Sequence, residues 1–71
     1  MTYFELYINM HKYDITFQEI STGKHLTFER NAPTIFTAER DAWAALEELK
    51  GGDVKEKWFK YSSVEKSTIY R

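Results

Sequence analysis

The sequence contains no cysteine, one proline and three glycines among its 71 residues. The absence of cysteine excludes disulfide bonds, iron–sulfur clusters, cysteine-ligated zinc and catalysis by a thiol. It also favours a reducing compartment, because small domains in oxidising surroundings usually carry disulfides. No stretch approaches the ~18 consecutive apolar residues of a membrane span, and the first residues show no basic leader before an apolar run. We therefore expect a cytoplasmic protein without a membrane segment.

The chain is also too short for a second hydrophobic core, so we predict one domain over residues 1–71. Aromatic residues make up 17% of the chain, which lets a short domain build a core without cross-links. Residues 1–49 carry four Lys or Arg against eight Asp or Glu, and residues 50–71 carry six against three, giving −4 and +3. The C-terminal third is therefore locally basic in a chain of net charge −1.

A helix is predicted over residues 37–50, where the apolar side chains recur with helical periodicity. Thr37 is a suitable N-cap, because its hydroxyl can accept a hydrogen bond from a backbone N–H of the first turn. Gly51 can adopt the left-handed conformation that ends a helix. The apolar stripe that needs a partner surface comprises Ala42, Trp43, Leu46 and Leu49.

Three stretches before the helix alternate apolar and polar residues: 2–10, 13–20 and 25–30. This alternation is typical of strands with one buried face. Residues 21–24 include a glycine suited to a tight turn, so the second and third strands are predicted to form an antiparallel hairpin. The inward side chains of the resulting three-stranded antiparallel meander are predicted to be Phe4, Leu6, Ile8, Ile15, Phe17, Leu26 and Phe28.

The connections of the meander follow from its polar residues and its proline. His11 and Lys12 are predicted to form the tip between the first two strands. Pro33 is predicted to mark the crossover into the helix, because proline lacks a backbone donor and suits no strand interior. The helix then packs its apolar stripe across the sheet.

Residues 54–61 fit two local structures. Residues 53–56 match a helical capping box, and Val54, Trp58 and Tyr61 have helical spacing, so a short helix is one alternative. We favour strands, because aromatic residues cluster there, and we place a second hairpin at the Ser62-Ser63 pair. The predicted fold is α+β: the meander, one helix across it, and a C-terminal strand or hairpin that completes the sheet.

No grouping of residues predicts an enzyme. His11 and Asp14 are three residues apart, and His25 could be near them in space if the meander forms, but they supply too few convergent groups for a metal site or an acid–base pair. The serines lack the glycine-flanked turn of a catalytic nucleophile. We expect no catalytic residue, no metal and no cofactor.

Binding is the function that the residues favour. If residues 54–61 form a strand, one sheet face carries Lys55, Lys57, Phe59 and Tyr61, and outward rings on the first strand extend that face with Tyr3 and Tyr7. Aromatic side chains give a large contact area and are enriched among interface hot spots. We therefore predict a non-enzymatic module that occupies a protein partner's surface as an inhibitor, adaptor or accessory protein.

Two other hypotheses use the same residues. Cations and rings on one surface are also what single-stranded nucleic acid requires, the cations for phosphates and the rings for stacked bases. Open sheet edges offer pairing with a second copy, so a homodimer through a sheet edge is the other hypothesis.

Overall fold

The computed structural model of the protein describes residues 10–68. Its three strands form one antiparallel sheet in the order β2-β1-β3, and the longer helix packs against one sheet face. The predicted α+β class is therefore confirmed. The elements in chain order are β1 (His11–Glu19), β2 (His25–Ala32), α1 (Ile35–Lys50), α2 (Val54–Lys57) and β3 (Trp58–Thr68).

The hairpin of β1 and β2 confirms the prediction for this part of the chain. The strands pair without a break, with Ile15 opposite Phe28 and Gln18 opposite His25. Gly23 has a φ of 76°, a conformation in which a side chain would be strained, and its N–H donates to the Glu19 carbonyl over 2.8 Å. The turn therefore uses its glycine in the predicted way.

The two predictions for the N-terminal part have different outcomes, since one lies outside the described residues and the other is wrong. The strand predicted over residues 2–10 lies, apart from Met10, outside the described residues. His11 and Lys12 do not form a turn tip, because they begin β1 and pair with residues at the far end of β2. Each also has an acidic neighbour, Glu65 for His11 at 3.6 Å and Glu29 for Lys12 at 3.8 Å. Polar residues that find cross-strand partners fit a strand as well as a turn.

The core lies between α1 and the covered face of the sheet. Alternate residues of β1, namely Tyr13, Ile15 and Phe17, are buried as their spacing predicts. From the helix, Ala38, Ala42 and Leu46 are buried against them, at the four-residue spacing of one helix face. The ring of the partly buried Trp43 lies 4.6 Å from that of Phe17, centroid to centroid.

Leu49 was wrongly predicted to belong to the buried stripe, since 61% of it is exposed. Its angular position on the helix is suitable, but the buried contacts of α1 end one turn earlier, at Leu46. Periodicity gives the direction in which a side chain points. It does not give the length of the surface on which the helix rests.

The helix begins two residues before the predicted start. The N-cap is Thr34, which has an extended backbone conformation and accepts a hydrogen bond from the Thr37 backbone N–H over 3.2 Å. Thr37, the predicted cap, lies inside the first turn. The end is as predicted, because Gly51 has a φ of 82° and its N–H donates to the Glu47 carbonyl.

The preference for strands over residues 54–61 was wrong for its first half. Residues 54–57 form α2, which buries Val54, and Trp58 is buried immediately after it. The predicted capping box does not form, because the Asp53 side chain makes no cap hydrogen bond.

The hairpin predicted at Ser62-Ser63 is also absent from the described residues, where β3 is one continuous strand. Ser62 pairs with Thr16 and Ser63 with Ile15, in the middle of that strand. The second edge of β1 supplies backbone partners for the whole segment, and this outweighs the turn preference of two serines.

Candidate interaction surface

Within residues 10–68, one face of the sheet has no helix on it, and we call it the open face. Its residues follow from the alternation of β1, whose odd positions 13, 15 and 17 are buried under α1, and from the strand registers. The open face comprises Lys12, Asp14, Thr16, Gln18, His25, Thr27, Glu29, Asn31, Phe59, Tyr61, Ser62, Val64 and Lys66.

Exposed apolar side chains concentrate on the open face. Three of the large exposed hydrophobic residues of the described chain, Phe59, Tyr61 and Val64, belong to it, with 43%, 57% and 55% of their surfaces exposed. Ile20 follows β1 directly, and its backbone N–H donates to the Lys57 carbonyl beside β3. The remaining two, Phe36 and Leu49, lie at opposite ends of α1.

An irregularity in β3 places Tyr61 across this face. Lys60 pairs with Phe17 and Ser62 pairs with Thr16, so Tyr61 is an extra residue with no partner position on β1. Such bulges redirect a side chain. The Tyr61 ring lies 4.6 Å from the His25 ring on β2, centroid to centroid, and so spans the central strand. We call His25, Phe59 and Tyr61 the aromatic half of the open face.

A second irregularity acts in the same way at the other end of the face. Lys66 is the extra residue between Glu65 and Ser67 in the pairing with β1. Its ammonium lies 3.8 Å from carboxylate oxygens of both Asp14 and Glu29. We call Lys12, Asp14, Glu29 and Lys66 the charged half; its two cations and two anions neutralise each other.

Hydroxyl groups lie between the two halves, because Thr16 and Thr27 pair across β1 and β2 with their hydroxyls 2.8 Å apart. Gln18 lies in the aromatic half, between His25 and Phe59, and its amide donates to the Gly23 carbonyl. The open face therefore carries rings and an amide at one end, hydroxyls in the middle, and paired charges beside the exposed Val64 at the other end.

The covered side of β3 has a different polar contact. The Glu39 carboxylate of α1 accepts hydrogen bonds from the Ser63 hydroxyl at 2.6 Å and the Lys60 ammonium at 3.0 Å. The bond from Ser63, together with Lys60, holds the pKa of Glu39 below its usual value although partial burial opposes this. This cluster attaches β3 to the helix and lies away from the open face.

Tyr13, on the same covered face, is also perturbed. Its burial, reinforced by the nearby Glu65 carboxylate, raises the pKa of its hydroxyl above the usual 10.0. Both causes favour the neutral phenol, which fits a ring held in the core.

The residues predicted to bind a partner are only partly brought together. Phe59 and Tyr61 share the open face, as the strand pattern indicated. Lys55 and Lys57 do not, because they lie in α2, and the Lys55 ammonium is 5.5 Å from the centre of the Trp43 ring. The predicted four-residue sheet surface therefore does not exist in that form.

Two of the predicted binding residues lie outside the described part of the chain, and some residues of the open face were not predicted. Tyr3 and Tyr7 lie outside the described residues. His25 and Val64 were missed, although their strand positions could have placed them on the open face once the pairing of β3 with β1 was known. That long-range pairing was the missing information.

Within residues 10–68, no three histidine, aspartate or glutamate side chains are grouped so as to hold a metal ion, and there is no enclosed pocket. The helices of this part are too short or too polar to cross a membrane. No protein-family model matches the chain, and neither the comparison with curated proteins nor that with solved structures finds a match. Its function must therefore be inferred from its own residues.

Proposed function

We propose that the protein is a non-enzymatic binding module that places its open face on the surface of a protein partner, as an inhibitor, adaptor or accessory protein. The observation that carries the proposal is the concentration of exposed Phe59, Tyr61 and Val64 on one side of one sheet. Large exposed apolar patches on small proteins commonly mark interaction sites.

The patch is suited to binding because one of its exposed rings already has a ring partner within the chain. Tyr61 is packed against His25, and both Phe59 and Tyr61 are carried by a paired strand. Little conformational entropy is lost when such side chains enter an interface. A reducing, cytoplasmic setting fits a chain that forms its core without cysteine.

The second candidate function is binding of single-stranded nucleic acid. It is favoured by one observation, the two exposed rings on the open side of an antiparallel sheet, where bases can stack. The lysine side chains are less suitably placed for nucleic-acid binding than the rings are. Lys12 and Lys66 lie beside carboxylates, and Lys55 is on α2, so few are free to contact phosphates near the rings. A protein partner is therefore our first proposal.

Comparative affinity capture tests the first proposal. Three baits are immobilised: the unaltered protein, the Phe59→Ser/Tyr61→Ser chain and the Phe36→Ser/Leu49→Ser chain. The last pair is a matched control, because it removes two apolar groups from the helix that are more exposed than Phe59 and Tyr61. We expect a protein retained by the first and third baits to be lost from the second. Equal retention by all three baits would contradict the use of the open face.

The captured protein is then purified and titrated by calorimetry. Burial of an apolar patch predicts a negative heat-capacity change on binding. Loss of one hot-spot ring predicts an affinity reduction of about 2 kcal/mol or more.

Fluorescence anisotropy with labelled single- and double-stranded oligonucleotides tests the second candidate, at about 50 and 200 mM salt. Phosphate contacts predict single-strand binding that weakens steeply with salt and disappears in Phe59→Ser/Tyr61→Ser. The Lys55→Glu/Lys57→Glu chain shows whether α2 contributes. No binding at the lower salt would remove nucleic acid as a candidate.

A further inference from the structure

We propose that the outer edge of β2 accepts an extended segment of a protein partner as a fourth strand. The segment runs antiparallel to β2 and places an acidic side chain beside Arg30. Backbone groups of the edge make this contact, so the surface differs from the open face, and the inference does not depend on the proposed function.

The outer edge of β2 carries backbone hydrogen-bonding groups that have no backbone partner among residues 10–68. The Glu19 N–H donates to the Lys24 carbonyl over 2.8 Å, and the facing residues of an antiparallel pair exchange such bonds at every second position. The register continues unbroken to the far end of the hairpin, so the even-numbered residues of β2 bond to β1. The N–H and C=O groups that point outward belong to His25, Thr27, Glu29 and Asn31.

The other edge strand, β3, offers no continuous row of such groups. Its pairing with β1 is irregular at Tyr61 and Lys66, and bulges of this kind protect a sheet edge against a further strand. The eight residues of β2 contain neither a bulge nor a proline. A strand can therefore be added to β2 along its whole length.

The side chain of Arg30 lies along this edge. Its guanidinium donates to the Glu29 carbonyl over 2.7 Å and lies 5.3 Å from the centre of the Phe28 ring. Within residues 10–68 it forms no ion pair with a carboxylate. Arg30 therefore satisfies, with its own side chain, an acceptor that an added strand would satisfy with a backbone N–H.

An added strand leaves the guanidinium of Arg30 without this acceptor. Once a backbone N–H of the segment donates to the Glu29 carbonyl, the guanidinium needs a new partner, and a carboxylate is the acceptor it binds most strongly. In an antiparallel pair, the residue opposite Arg30 shares its face of the sheet. The next two positions on that face lie opposite Phe28 and Leu26, which are partly buried apolar residues. We therefore expect an acidic residue followed, at alternate positions, by two apolar residues.

A second copy of β2 does not meet this requirement. In an antiparallel pairing of two β2 edges, the residues that can face Arg30 are the even-numbered ones on the covered face. They are Lys24, Leu26, Phe28, Arg30 and Ala32, none of which is acidic. The occupant is therefore a segment of a different protein.

NMR titration with a synthetic peptide tests the proposal. The probe is the blocked heptapeptide Thr-Glu-Thr-Val-Thr-Val-Thr, which places its glutamate opposite Arg30 and its valines opposite Phe28 and Leu26. At peptide concentrations up to about 2 mM, which detect weak binding, we expect the amide signals of Thr27 and Glu29 to shift and those of β3 to stay unchanged. No shift along β2, or equal shifts along β3, would overturn the proposal.

Two altered peptides are matched controls. Proline in place of the third threonine removes the N–H that donates to the Thr27 carbonyl, and lysine in place of glutamate sets like charges at Arg30. Each should bind at least about fivefold more weakly than the probe. In Arg30→Glu the preference between the glutamate and lysine peptides should reverse. Equal affinities for the three peptides, or an unchanged preference in the variant, would contradict the proposed contact.

The Phe59→Ser/Tyr61→Ser chain separates the edge of β2 from the open face. It should bind the probe peptide with unchanged affinity, whatever the capture experiment shows, so the two proposals fail separately. Loss of peptide binding in this chain would place the contact on the open face and overturn the use of the edge.

Amide hydrogen exchange of the free protein shows whether the edge is available. Exchange at Thr27 and Glu29 should be fast, because no carbonyl among residues 10–68 accepts from these N–H groups. Slow exchange would show that the edge is already covered, which is incompatible with the proposal. Circular dichroism of each variant confirms that the chains compared are folded.

Discussion

The two faces of the sheet use the same strands for different purposes. On the covered face, Ile15 and Phe17 of β1 are completely excluded from solvent. On the open face of the adjacent strand, Phe59 and Tyr61 keep about half of their surfaces in water. Apolar residues of similar size thus stand within one sheet thickness of each other, and only those facing α1 are in the core.

The difference shows where stability and recognition are located. The covered face has a partner within the chain, so its side chains contribute the free energy of burial to folding. The open face has none among the described residues, and its exposed rings contribute little to folding. We therefore expect substitutions on the covered face to change the free energy of unfolding, and those on the open face to change binding.

The largest expected difference in the free energy of unfolding is between substitutions of two phenylalanines, one on each face of the sheet. Phe17→Ala should lower the free energy of unfolding by about 3–5 kcal/mol, because it removes a fully buried ring that contacts Phe28 and Trp43. Phe59→Ala should lower it by less than about 1 kcal/mol. Urea unfolding followed by circular dichroism measures both. Similar losses would show that the open face is also covered in solution.

The next comparison uses two leucines of α1. Leu46→Ala should cost about 2–4 kcal/mol, because Leu46 is fully buried, whereas Leu49→Ala should cost less than about 0.5 kcal/mol. Thermal unfolding of the two variants provides the check. A large cost at position 49 would mean that the last helical turn also rests on a partner surface.

A smaller effect concerns the polar attachment of β3. Ser63→Ala should destabilise by about 1 kcal/mol, because it removes a hydrogen bond to the Glu39 carboxylate in a partly exposed site. The folded state lowers the pKa of Glu39 below 4.5. Its contribution is therefore complete above about pH 4.5 and is lost as pH falls through the folded pKa.

Unfolding free energies of the unaltered and Ser63→Ala chains, measured between about pH 3 and 7, check this sign. The difference between the chains should be largest at neutral pH and should shrink on acidification. A difference that grows with acid would show that the neutral carboxyl, and not the carboxylate, accepts the bond.

The smallest effect lies on the open face itself. Thr16→Val removes the hydroxyl contact with Thr27 while it keeps the β-branched shape, and should change stability by less than about 0.5 kcal/mol. Hydrogen exchange of the β1 and β2 amides should be nearly unchanged. A loss above about 1 kcal/mol would place this hydroxyl pair among the groups that hold the sheet together.

Local patterns predicted the elements whose information is local. The hairpin followed from alternation around Gly23, and the end of α1 followed from Lys50 and Gly51. Alternation also separated Ile15 and Phe17 from the outward side chains of β1. In each case a few neighbouring residues decide the backbone conformation.

The same reasoning failed where the deciding partner is distant in sequence. The Ser62-Ser63 pair has the composition of a turn, but it lies in a strand because its backbone pairs with β1. Leu49 has the helical spacing of a buried residue, but it is exposed because the surface covered by α1 ends before it. The predicted binding surface failed for the same reason. Lys55 and Lys57 were assigned to a strand that begins only at Trp58.

The sequence alone thus determined the α+β class, the β1–β2 hairpin, the direction of the apolar stripe of α1 and the exposure of Phe59 and Tyr61 relative to Trp58. Only the tertiary structure decided that β3 pairs with β1 over its whole length and that its two bulges carry Tyr61 and Lys66 across the open face. Turns and periodicities are set by residues a few positions apart. The pairing of β3 with β1 and its bulges depend on backbone groups of residues 39 to 57 positions away, which a local pattern does not contain.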